Sequence, residues 1–134
     1  MIGVVDASAL VRLFVPDGAV PDGFREFLRG VERGLNRAIA PELLVAETAN
    51  VMDKKRKAGE LSDQESERLL ADLLAVPIRF FAHRLLIGRA FELSKEYHLT
   101  VYDTLYLSLA EEHGAVLFSA DEAMLKAARR LGLL

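Results

Sequence analysis

The chain has 134 residues, 51% of them hydrophobic and 28% charged, with a net charge of -3 and no cysteine. That length and apolar content suit one packed domain over residues 1–134 and exclude a disordered chain, while the absence of cysteine excludes disulfides, thiolate metal sites and thiol catalysis. The acidic balance excludes capture of nucleic acid by the surface as a whole, so a polyanion must meet local basic patches or a metal.

In chain order, Ile2 to Val5 reads as a buried strand and Ala7 to Val15 as a helix, ended by the turn-rich "PDGAVPDG". Phe24, Phe27, Leu28, Val31 and Leu35 recur at helical spacing, with Arg25, Arg29 and Arg33 as a basic stripe on another side. "RAIA" fits a short strand; Pro41 suits a helix start, and that helix runs to Gly59. Ser62 with Glu65 forms a capping-box pattern for a helix closed by Pro77, followed by the strand-like "IRFF" and a helix from Leu85 to Tyr97. Thr100 caps "VYDTLYLSLAEEHG", "AVLFS" is a second clear strand, and "DEAMLKAARRLG" is a terminal helix. Strands alternating with helices predict an α/β fold: a mostly parallel sheet covered by helices on both faces, with ligands outside the carboxyl ends of the strands.

Asp6 ends the first strand and Asp121 follows "AVLFS", which in a parallel sheet places both on one edge. Each is also a favoured helix N-cap, and Ser119 with Glu122 fits a capping box. Asp103 falls three residues after the cap Thr100, where an acid complements the helix dipole. Glu47 lies mid-helix in line with Leu43, Asn50 and Val51, so it faces inward and needs a partner; the alternative is a helix rotated to put Glu47 at the boundary, where it meets Lys54, two turns on, or solvent. Four converging acids would require protonation or a hard divalent cation, Mg²⁺ or Mn²⁺, and such a cation at a sheet edge suits phosphodiester hydrolysis.

Two basic features offset the overall acidity: the arginine stripe and "DKKRK", which places Lys54, Lys55, Arg56 and Lys57 on the helix of Glu47, where they are candidate contacts for nucleic-acid phosphates. Tyr102 and Tyr106 read as packing residues, and the three histidines are scattered. The N-terminus lacks a cationic leader pattern and no stretch nears the ~18 apolar residues of a membrane span, so a cytoplasmic chain with no membrane segment is expected.

The ordered pattern "VVDASAL", "PELLVAETANVM", "VYDTLYLSLAEEHGAVLFSADEAML" resembles PIN-domain nucleases, above all the VapC-type toxins of bacterial and archaeal toxin-antitoxin pairs, over essentially the whole chain. The resemblance implies a PIN-like three-layer α/β/α sandwich and a metal-dependent endoribonuclease in which Asp6, Glu47, Asp103 and Asp121 are the acidic site. Asp6, Asp103 and Asp121 would bind Mg²⁺ or Mn²⁺, and Glu47 would complete the set and position water. Ser8 and Ser119 would be nearby hydroxyls, with serine at 119 where many relatives have threonine, and Asn50 would support Glu47. The resemblance further implies products with a 5′-phosphate and a 3′-hydroxyl, an RNA substrate, a homodimer and a cognate antitoxin. The competing readings are a phospho-acceptor receiver module, whose paired first-strand acids and late lysine are not evident, and a non-catalytic PIN domain that binds RNA or protein.

Overall fold

Four short strands, β1 (Ile2–Val5), β2 (Arg37–Pro41), β3 (Ile78–Phe81) and β4 (Val116–Phe118), form one all-parallel sheet in the order β3-β2-β1-β4. The structure is a computed structural model that describes all 134 residues. β1 has neighbours on both sides, pairing Val4 with Ile39 of β2 and with Leu117 of β4, so its residues must be apolar on both faces. Gly3 meets that demand by having no side chain: a Cβ there would come within 2.6 Å of the Phe27 ring and 2.8 Å of the Phe118 ring. Those rings, with Phe24, stack at centroid separations of 4.7 and 5.2 Å and close the sheet against the second helix.

Six α-helices connect the strands, α1 (Ala7–Arg12), α2 (Phe24–Glu32), α3 (Leu43–Lys57), α4 (Asp63–Ala75), α5 (Ile87–Tyr97) and α6 (Val101–His113), and α7 (Glu122–Arg130) follows β4. The chain steps from β1 to β2 to β3 in one direction and then returns past β1 to β4. Right-handed crossovers therefore put α1–α4 on one face of the sheet and α5–α6 on the other, giving the α/β/α sandwich expected. The reversal lies between β1 and β4, the switch point outside whose carboxyl ends parallel sheets bind ligands.

The residues Thr104–Ala110 of α6 are buried all round, because that helix lies between the sheet and α5. A fork from Arg89 to Glu111, 2.6 and 3.1 Å, ties α5 to α6. The capping box of Ser62 and Glu65 is present at α4.

Several boundaries differ from expectation. α1 ends at Arg12, three residues before Val15, and α2 ends at Glu32, leaving Leu35 outside and exposed. Pro41 is the last residue of β2, level with Phe81, instead of opening α3, and Glu42 supplies the N–H that proline lacks by donating to the Phe81 carbonyl. A 3₁₀ turn at His83–Leu85 delays α5 to Ile87. No helix is long and apolar enough to cross a membrane.

Candidate active site

Asp6 sits at the carboxyl end of β1, at the switch point, and is only 4% exposed. Its Oδ1 accepts the Ala9 N–H at 3.0 Å, which makes it the N-cap of α1, and the Ser8 hydroxyl at 2.7 Å. Its Oδ2 accepts the Ser119 hydroxyl at 2.6 Å. Both serines are fixed in turn: Ser8 Oγ accepts the Ala120 N–H at 2.9 Å and Ser119 Oγ accepts the Asp121 N–H at 3.0 Å. Cap and candidate site are thus one structure, and the two hydroxyls stitch the end of β1 to the loop after β4. Asp121, not Ser119, caps α7, accepting the Met124 N–H at 3.0 Å, so the Ser119–Glu122 capping box does not form.

Glu47 projects from the middle of α3 toward α6, as an inward-facing acid should. Its partner is Tyr106, whose hydroxyl donates to Oε1 at 2.5 Å; Lys54 does not reach it, and Asn50 is exposed and forms no hydrogen bond to it. Tyr106 packs as expected, 2% exposed, yet packing is half of its role. A phenol inside a helix buried all round must find an acceptor, and Glu47 is the acceptor in reach. Sequence reasoning passed over this contact; the signal was an unpartnered inward acid on one helix and a tyrosine in the apolar run of another. Asp103, in the first turn of α6, donates its N–H to the Thr100 hydroxyl at 3.1 Å, and its carboxylate is half-buried beside that same hydroxyl.

Electrostatics links the four acids. Burial pushes Asp6 above the ordinary carboxylate range, against its hydrogen bonds from Ser119, Ala9 and Ser8, and the charge of Asp121 adds to the rise. Burial also raises Glu47, opposed by the Tyr106 hydroxyl and reinforced by repulsion from Asp6 and Asp103. Asp103 is raised by burial and by Asp121, with Thr100 pulling the other way. The phenol of Tyr106, buried beside Glu47, Asp6 and Asp103, is pushed far above its usual value and stays a donor.

A model of the PIN domain matches residues 3–130. The chain belongs to the PIN-domain family. Ribonuclease VapC3 of Pyrobaculum aerophilum is 30% identical to it over 128 residues, 90% of each chain. The crystal structure of PAE2754 from the same organism superposes with a TM-score of 0.70 at 21% identity, covering all of this chain and 91% of that one, and shares its fold.

In this PIN domain none of the four acids forms an ion pair with a lysine or arginine; every ion pair lies elsewhere. Oxygen donors that repel one another and lack a cation are the chemistry a hard divalent ion fits. The fit is one of charge and donor type: no three His, Asp or Glu side chains are gathered into a ready-made metal cluster.

The basic cluster of α3 is largely neutralised. Lys55 pairs with Asp17 at 2.7 Å and Glu60 at 3.3 Å, Arg56 with Asp53 at 2.9 Å, and Lys57 with Asp53 at 2.7 Å. Lys54 alone of the four is exposed without an acidic partner. The exposed Arg25 and Arg29 line a groove of about 560 Å³ between the end of α1, α2 and the end of α4, together with Leu13, Phe14 and Leu28.

Proposed function

We propose that this PIN domain, a single domain over residues 1–134, is a metal-dependent endoribonuclease and the toxin of a toxin-antitoxin pair. The observation that carries this reading is the set of four mutually repelling carboxylates, Asp6, Glu47, Asp103 and Asp121, at the sheet's switch point without one cationic partner. The kinship to a VapC ribonuclease at 30% identity supports the substrate class.

Asp6, Asp103 and Asp121 would hold Mg²⁺ or Mn²⁺. When bound, such an ion supplies Lewis-acid stabilisation of charge on the phosphoryl oxygens and activation of water. Glu47 orients the attacking water, and its raised proton affinity suits it to accept a proton from that water. Water adds to phosphorus as its proton passes to Glu47, the P–O3′ bond breaks, and the departing 3′-oxygen takes a proton from solvent, giving a 5′-phosphate and a 3′-hydroxyl. Lys54 is the best placed of the α3 cations to meet an RNA phosphate, since Lys55, Arg56 and Lys57 already face acids. The groove beside Arg25 and Arg29, which Glu32 and Asp72 also line, suits an antitoxin segment that brings apolar side chains and charges of both signs. A homodimer and a cytoplasmic location complete the reading.

The ungathered state of the acids favours one alternative, a non-catalytic PIN domain that binds RNA or protein. Labelled single-stranded and structured RNAs incubated with purified, antitoxin-free protein in Mg²⁺ or Mn²⁺, with EDTA and Asp6→Asn controls, separate the two. Cleavage that needs both metal and Asp6 supports the nuclease; RNA binding without cleavage supports the binding module.

A further inference from the structure

We infer that Tyr106 is a positioning residue for the reaction proposed above, acting through Glu47. The inference rests on that nuclease reading and on three features of the contact. The phenol oxygen lies 2.5 Å from Glu47 Oε1, across two helices and 59 residues of sequence. Tyr106 is 2% exposed in the buried centre of α6, so close packing on every side fixes where its hydroxyl lies. Glu47 Oε2 receives no hydrogen bond from the protein, and neither Asn50 nor Lys54 touches either oxygen.

One carboxylate oxygen is therefore clamped and the other is left open. A glutamate mid-helix has three rotatable bonds, and at a site rimmed by Asp6 and Asp103 repulsion alone would swing it outward to solvent. The phenol is the one donor that holds it against that repulsion. A fixed Oε1 sets the direction in which Oε2 presents its lone pairs to water, which is the orientation a hydrolytic step requires.

Tyr106→Phe removes the hydroxyl and keeps the packing. Steady-state cleavage of one RNA by wild type and variant, with melting temperatures and a crystal structure of the variant, tests the role. The expected result is a fall in kcat of about 10- to 100-fold with KM within about twofold, an almost unchanged melting temperature, and Glu47 displaced or spread over several rotamers. Wild-type kcat in the variant, or a loss that appears in KM and melting temperature together while Glu47 stays in place, would overturn the positioning role and leave the nuclease reading standing. If the wild type cuts no RNA, the reading and the role built on it both fall.

Discussion

Asp6→Asn separates what is good for the fold from what the site needs. The asparagine keeps Oδ1, and with it the Ala9 N–H and the α1 cap, but turns an Nδ2–H toward Ser119, whose hydroxyl now donates to Oδ2 at 2.6 Å. Ser119 must turn its hydrogen away, so one charge-assisted hydrogen bond is lost or inverted, at a cost of about 1.5–3 kcal/mol. On the other side, a carboxylate that is 4% exposed and faces the charge of Asp121 disappears, and the burial cost of such an ion is on the order of several kcal/mol. The net expectation at pH 7 in EDTA is a variant more stable by about 1–2 kcal/mol, or roughly 3–8 °C in melting temperature. Urea unfolding and calorimetry measure both, and the advantage should shrink as the pH is lowered and wild-type Asp6 takes up its proton. A variant less stable than wild type at pH 7, or a difference independent of pH, would refute the argument that Asp6 is held charged at the expense of the fold.

Asp6, Glu47 and Asp103 all have folded-state proton affinities above the unfolded ones, so the folded protein binds more protons between the two values and loses stability as pH rises through the folded pKa. Asp53, Glu65 and Glu111 are shifted downward by Lys57, by the Ser62 cap and by Arg89, and their contribution is lost only at lower pH. Metal-free protein should therefore melt higher near about pH 5 than at pH 7, and a steady decline from 7 to 5 would contradict this sign. Lys54→Ala should leave the melting temperature unchanged and raise the KM for RNA roughly twofold to fivefold at low salt. Lys55→Ala should instead lower stability by less than about 1 kcal/mol by freeing Asp17 and Glu60, with little change in KM. Gly3→Ala should destabilise by about 1–3 kcal/mol or more, because the new methyl meets two buried rings, and thermal melting will show it.

The order of strands and helices followed from hydrophobic period and capping residues, and so did the edge on which Asp6 and Asp121 lie. Glu47 was recognisable as an inward acid because it shares a helix side with Leu43 and Val51. What escaped was long-range. Nothing near Tyr106 in sequence says that its hydroxyl meets an acid 59 residues earlier, and nothing near "DKKRK" says that Asp17, 38 residues before Lys55, will neutralise it. Side-chain partners across a fold depend on helix rotation and depth, which periodicity fixes only to within a face. Pro41 misled for a local reason: its fixed φ suits a helix start and the end of a strand alike.

Cleavage of one labelled RNA across a Mn²⁺ titration, by wild type and by Asp6→Asn, Glu47→Gln, Asp103→Asn and Asp121→Asn in turn, tests whether the four acids act together as one cation-dependent site. Each variant is predicted to lose about 100-fold or more in rate while remaining folded, with higher Mn²⁺ needed by the three aspartate variants. Full activity of any one of the four at the wild-type Mn²⁺ requirement would remove that acid from the site, and full activity of all four in EDTA would contradict the account altogether.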